Sequence, residues 1–200
     1  MATKSATKTV NAATIRSTDA KVVLTGFMGT GKSRVGRLVA ARMGWPFADS
    51  DHEIVARTGK PIARIFSEHG EPHFRALERV AIAAIAAAPG PAVIATGGGA
   101  LVDETNCRVL KAAGLVVCLR ARPEIIASRL NKSAEPRPKL LEGGKPIAER
   151  IAELHLERAA AYARAEIEID TSDLTAEQAA DAVIAAFDRW CAENRCAPSA

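Results

Sequence analysis

Apolar residues in this chain come in short β-branched runs that alternate with longer stretches of helical spacing. Val22-Val23-Leu24-Thr25 is a compact apolar run stopped by Gly26, and its brevity predicts a buried strand rather than a helix. From Lys32 to Met43, Val35, Leu38, Val39 and Met43 recur three or four apart, which predicts a helix with one buried face. Trp45 to Ala48 reads as a strand ending on Asp49-Ser50-Asp51. Helices are predicted over about 52–69 and 72–88, with Gly59-Lys60-Pro61 punctuating the first. Ala92 to Ala95 is a strand running into Gly97-Gly98-Gly99, Glu104 to Ala113 is helical, and Leu115 to Leu119 is strand again. Pro123 opens the next helix in the favoured first position. Residues 131–146, with three Pro and two Gly, are too irregular for a core element. Helix resumes over about Ile147 to Arg164, and Ile167-Glu168-Ile169 is a last strand. Thr175-Ala176-Glu177-Gln178 has the form of a capping box ahead of an apolar stripe of Ala179, Val183, Ile184 and Phe187.

Strands alternating with helices predict βαβ units. The fold class is α/β: a five-stranded, mainly parallel sheet with helices on both faces, in three layers. Ligands of such sheets lie at the carboxyl ends of the strands, where this chain carries a glycine loop, two carboxylates and a second glycine loop. The expected organisation is a disordered tail over 1–20, one domain over 21–190 and a short tail over 191–200.

Composition removes several function classes. The 27 basic and 23 acidic side chains leave a net charge of only +4, too mild to name nucleic acid. Five Phe, two Trp and one Tyr are too few for a base-stacking platform. Residues 80–102 carry no charge, a length that could span a bilayer. Pro89-Gly90-Pro91 breaks that stretch and Gly97-Gly98-Gly99 ends it, so no membrane segment is expected. The first twenty residues lack an apolar core, unlike a secretory signal. Cys107, Cys118, Cys191 and Cys196 form no CxxC pair, and four cysteines in this length are no disulfide framework. A cytoplasmic protein is the expectation, with organellar import the alternative, because the first twenty residues are also Ser-containing and acid-poor like a transit peptide.

Gly26-Phe27-Met28-Gly29-Thr30-Gly31-Lys32-Ser33 matches G-x-x-x-x-G-K-[ST] between a predicted strand and a predicted helix. Glycines let backbone N–H groups turn around a phosphate, and the helix N-terminus adds its positive end. Lys32 then reaches the β- and γ-phosphates, and the Ser33 hydroxyl ligates Mg²⁺. A guanine-reading N-K-x-D is missing: the nearest string is Asn131-Lys132-Ser133-Ala134. That disfavours a GTPase switch. Asp49 and Asp51, one residue apart at a strand end, are expected to point to the same side. One would organise Mg²⁺ and the other accept a substrate hydroxyl proton. Asp-x-Asp alone is a common turn feature; its place after the second strand of a phosphate-loop unit is what gives it weight. Arg75 and Glu78 share a helix face at i, i+3. They read either as an exposed ion pair or as a guanidinium held ready for a substrate carboxylate.

Gly26 to Ser33, Asp49-Ser50-Asp51, Phe74-Arg75 with Glu78, and Thr96-Gly97-Gly98-Gly99 occur in that order, and together they resemble the shikimate kinases over about residues 21–187. The resemblance implies a three-layer P-loop kinase fold with a mobile lid over about 131–146. It implies transfer of the γ-phosphoryl group of ATP to the 3-hydroxyl of shikimate, with Mg²⁺, by a chain expected to be a monomer. It makes Lys32, Asp51 and Arg137 the catalytic residues, Asp51 as base and Arg137 as the lid arginine. ATP falls to Gly29, Thr30, Gly31, Lys32, Ser33, Arg34 and Arg137. Shikimate falls to Asp51, Arg75, Gly97, Gly98, Gly99 and Arg158, the last as a second carboxylate-binding arginine. Ser33 and Asp49 resemble the groups around Mg²⁺. The family's lid usually reads R-P-L-L; this chain reads Arg137-Pro138-Lys139-Leu140-Leu141. A related kinase of another hydroxy acid, such as gluconate, is the alternative reading, and a nucleotide-dependent nucleic-acid-binding module is the alternative from another class.

Overall fold

The computed structural model describes residues 19–131 and 147–194. Strands β1 (Lys21–Thr25), β2 (Phe47–Asp49), β3 (Ala92–Ala95), β4 (Gly114–Arg120) and β5 (Ile167–Asp170) form one sheet in the order β2-β3-β1-β4-β5. Every pairing is parallel. Helices α1 (Lys32–Met43), α2 (Ser50–Thr58), α3 (Ile62–Ala87), α4 (Glu104–Ala113), α5 (Pro123–Asn131), α6 (Ile147–Tyr162) and α7 (Ala176–Glu193) connect and follow the strands. The expected lid, with Arg137 and Lys139, lies outside the described residues save for Asn131.

Strand alternation sorts the core into two layers. Val22, Leu24, Leu115, Val117 and Leu119 pack beneath α1 and α7, against Val35, Val39, Val183 and Phe187. Val23, Ile94 and Val116 face the other way, onto Ile82 of α3 and Leu110 of α4. Because β1 is central and fully buried, truncating Leu24 to Ala is expected to cost about 2–5 kcal/mol. The capping box opens α7 as its sequence predicts: Thr175 Oγ1 accepts from Gln178 N, and Gln178 Oε1 accepts from Thr175 N.

Three boundaries differ from expectation. Gly59-Lys60-Pro61 ends one helix and precedes another instead of punctuating a single one, while the break expected between 69 and 72 is present as the non-helical Gly70 (φ 77°, ψ 176°), which kinks α3. The second strand closes at Asp49 and helix α2 begins at Ser50. At the other end, α7 continues to Glu193, past the point where a tail was expected, because Phe187 and Trp190 stack with centroids 5.9 Å apart and Cys191 packs on the core.

The start of β1 is tied down locally. Lys21 Nζ donates to the carbonyls of Asp19 and Gly90, and Gly90 N donates to the Asp19 carboxylate at 3.2 Å. Among the described residues no helix is long and apolar enough to cross a membrane. The charge-free stretch is divided between α3 and β3.

Candidate active site

The loop from Gly26 to Ser33 leaves the central strand and enters α1, as its sequence predicts. Gly26 has φ 130°, and a Cβ there would lie 2.1 Å from the Leu119 carbonyl oxygen; only glycine passes so close to β4 in that conformation. Inside the loop, Thr30 Oγ1 and Lys32 Nζ each donate to the Phe27 carbonyl at 2.8 Å. Ser33 Oγ donates to Asp49 Oδ2 at 2.7 Å. Arg34 departs from the group: its side chain is exposed and lies 4.0 Å from Glu177 of α7.

Asp49 and Asp51 do not share a strand, contrary to the sequence expectation. Asp49 is the N-cap of α2, its Oδ1 accepting from Asp51 N at 3.1 Å. Asp51 stands one residue into the helix. The cap rotates the backbone between them, so the two carboxylates have separate neighbours. One faces Ser33; the other faces Gly97.

The triple glycine after β3 is where the charged groups meet. A Cβ on Gly97 would lie 2.9 Å from Asp51 Oδ1 and 2.8 Å from Glu78 Oε1. On Gly98 it would lie 3.4 Å from Arg158 Nη1, and on Gly99 it would lie 2.6 Å from Arg75 Nη2. Three consecutive residues without side chains thus make room for two carboxylates and two guanidinium groups. Adjacency of β2 to β3 brings Asp51 to this loop. Ser50, fully buried, accepts from Gly97 N at 2.9 Å through its Oγ, and Tyr162 donates its hydroxyl to the Gly98 carbonyl at 2.7 Å. Neither residue is assigned a role by sequence. Ser50 sits between two carboxylates that draw the eye, and a single Tyr on a helix carries no pattern.

Arg75 is held from two sides, by Glu78 Oε2 at 2.7 Å and Glu71 Oε1 at 2.8 Å. Burial works against its charge, yet the two carboxylates outweigh that and raise its pKa. Glu78 is fully buried, and desolvation raises its pKa despite Arg75. Asp51 is pushed up to about 6, by burial first and then by the negative charges of Asp49 and Glu78, with Lys32 and Arg75 opposing. Asp51 Oδ1 and Glu78 Oε1 are both buried without a hydrogen-bond partner. Such orphaned acceptors are costly in a folded core. Here both lie against Gly97, beside the two arginines.

A hydroxyl and a carboxylate oxygen at Ser33 and Asp49 suit a hard cation. No cluster of three or more His, Cys, Asp or Glu able to hold a metal exists among the described residues. A loop of the G-x-x-x-x-G-K-[ST] form on the central strand, beside a cluster of arginines and carboxylates, is the arrangement of an α/β phosphotransferase. The shikimate kinase family model matches residues 28–188. The chain belongs to the shikimate kinase family and is an ATP-dependent phosphotransferase of that kind. It is 48% identical over 156 residues to the shikimate kinase of Geobacter sulfurreducens, covering 78% of this chain and 84% of the relative. With that of Thermodesulfovibrio yellowstonii it shares 43% over 168 residues, covering 84% and 95%. Among solved structures, shikimate kinase from Acinetobacter baumannii in complex with shikimate superposes with a TM-score of 0.78 at 33% identity, covering 85% of this chain and 93% of the other. A gluconokinase from Sinorhizobium meliloti, at a TM-score of 0.61 and 18% identity, shares the fold.

Proposed function

We propose that this chain transfers the γ-phosphoryl group of ATP to the 3-hydroxyl of shikimate, with Asp51 as base and Arg75 and Arg158 as the grip on the substrate carboxylate. One observation carries the reading: Gly97, Gly98 and Gly99 lie in turn against Asp51, Arg158 and Arg75, an array of one acceptor and two forks that suits a ring bearing hydroxyls and a carboxylate. The hydroxyl oxygen forms a bond to the γ-phosphorus, the bond to the bridging oxygen of ADP breaks, and the hydroxyl proton passes to Asp51. Burial and the neighbouring carboxylates raise the Asp51 carboxyl to about 6, which suits it to take up that proton. Fixing the acceptor on a rigid loop replaces the entropy of encounter and supplies much of the rate.

The nucleotide phosphates fall to the backbone of Gly29, Thr30 and Gly31 and to Lys32. In this reading Lys32 exchanges the Phe27 carbonyl for a phosphate oxygen. Ser33 and Asp49 would hold Mg²⁺. When bound, the ion supplies positive charge to the phosphate oxygens. Arg34 and Arg137 remain assigned to ATP by resemblance to the family. Free thiols at the buried Cys107 and Cys118 are in keeping with a reducing, cytoplasmic setting.

The test is a panel of acceptors offered with Mg·ATP. Shikimate is expected to be phosphorylated at its 3-hydroxyl and gluconate to be inert. Arg75→Lys, which keeps the charge and loses the fork, is expected to lower kcat/KM for shikimate roughly 10- to 100-fold while the KM for ATP stays put. Turnover of gluconate in preference to shikimate would overturn the assignment.

A further inference from the structure

We infer that Thr171, at the end of β5, is a positioning residue for the phosphate loop, acting together with Arg129 of α5. Thr171 is 2% exposed, and its hydroxyl is a junction between three separate segments. Oγ1 lies 2.8 Å from the Arg120 carbonyl at the end of β4 and 3.3 Å from the Thr30 carbonyl in the loop. It also accepts from Arg129 Nη1 at 3.2 Å. A hydroxyl has one proton, so the donation is divided between the two carbonyls and favours the nearer. Arg129 completes the clasp: Nη2 donates to the Thr171 carbonyl at 2.7 Å, and Nη1 lies 3.4 Å from the Gly29 carbonyl.

The geometry bears on chemistry through the planar peptide. In a trans peptide the carbonyl of one residue and the N–H of the next point to opposite sides. Drawing the Thr30 carbonyl toward Thr171 therefore turns the Gly31 N–H away from the clasp. Gly31 is the N-cap of α1 (φ 95°), and a free N–H at a helix start is a phosphate donor. The loop's own bonds, from Thr30 to Phe27, fix its waist but leave the carbonyls of Gly29 and Thr30 to outside partners. Thr171 and Arg129 are those partners. Thr171 N donates to the Arg120 carbonyl at 2.8 Å, so the hydroxyl is not needed to pair β5 with β4. Its added effect is shared between the Arg120 carbonyl and the loop, which it reaches through Thr30 and, by accepting from Arg129, through Gly29.

This inference rests on the nucleotide-phosphate reading of Gly26 to Ser33, and the two can fail separately. Thr171→Val keeps the shape and removes the hydroxyl; Thr171→Ser restores it. Steady-state kinetics with ATP and shikimate varied in turn, together with a thermal melt, make the test. Thr171→Val is expected to raise the KM for ATP about tenfold, the scale of one hydrogen bond to a charged partner. The KM for shikimate and the melt should be nearly unchanged, and Thr171→Ser should recover the ATP value. An unchanged KM for ATP in an active Thr171→Val enzyme would overturn the inference and leave the phosphate-loop reading intact. Equal rises in both KM values, or a fall in melting temperature that Thr171→Ser does not reverse, would assign Thr171 to general stability and overturn it too. Should Thr171→Val fail to fold, Thr171→Ala is read by the same criteria. Unaltered ATP use after Lys32→Ala would instead remove the phosphate-loop reading itself.

Discussion

Asp51 Oδ1 and Glu78 Oε1 converge on the same face of Gly97, within 2.9 and 2.8 Å of where a Cβ would stand. Gly97 is not in the left-handed region, so alanine there meets no backbone penalty; it meets the two carboxylates. Gly97→Ala is expected to lower kcat/KM for shikimate roughly 10- to 100-fold, the range of overpacking a tight site by one methyl. The KM for ATP should not move. Kinetics with each substrate varied in turn check this, and equal loss for both would refute it.

Asp51→Asn is expected to reduce kcat by at least about 10²-fold, as loss of a general base does. The parent should lose activity as pH falls through about 6, where Asp51 takes up a proton. The stability effect has the opposite sign. A carboxyl raised in the folded state contributes stability that is complete below its unfolded pKa and is lost as pH rises through the folded one. Asp51→Asn should therefore gain more in melting temperature over the parent at pH 8 than at pH 5. Melts at both pH values read the difference.

Asp49 caps α2, and the Mg²⁺ role proposed for it is one that substitution can separate from the cap. Asn retains the N-cap of α2 and loses the charge beside Ser33. Ala loses both, with a capping cost of about 1 kcal/mol. Asp49→Asn should raise the Mg²⁺ concentration for half-maximal rate with little change in the melt, and Asp49→Ala should lower the melt as well. A magnesium titration of both variants alongside calorimetry distinguishes them.

Tyr162→Phe removes the 2.7 Å bond to the Gly98 carbonyl and keeps the ring. Burial pushes this hydroxyl up to about 12, so it stays a donor across the working pH range. The variant should raise the KM for shikimate several-fold, on the scale of about 1 kcal/mol for a neutral hydrogen bond. Its ATP kinetics should match the parent, and unaltered shikimate kinetics would show that the loop holds its shape without the bond.

Strands β1, β3 and β4 were legible as short apolar runs that end near a turn signal, as β1 does at Gly26, and β5 by the alternation of Ile167, Glu168 and Ile169. The phosphate loop was legible because its chemistry is local. Asp49 and Asp51 were misplaced on one strand, although Asp49 followed by Asp51 and Glu53 is also the signature of a capped helix start. Two local patterns competed, and packing of Ile54 beneath Ile65 and Phe74 favoured the helix. The meeting of Asp51, Arg158 and Arg75 on three glycines depends on strand order, and nothing in the run of residues says that β3 lies between β2 and β1. Ser50, Arg129 and Thr171 stayed hidden for a similar reason. Their partners are 42 to 51 positions away in the chain, and Gly29 and Thr30 are farther still.

The tie among Asp19, Lys21 and Gly90 sits where β1 begins, opposite Ala92 and Gly114 at the starts of β3 and β4. The reacting groups all lie past the other ends of these strands. A load applied ahead of Asp19 is therefore grounded on the turn before β3, a strand's length from the chemistry. For anyone wishing to anchor this enzyme to a bead or an electrode, that end is the handle.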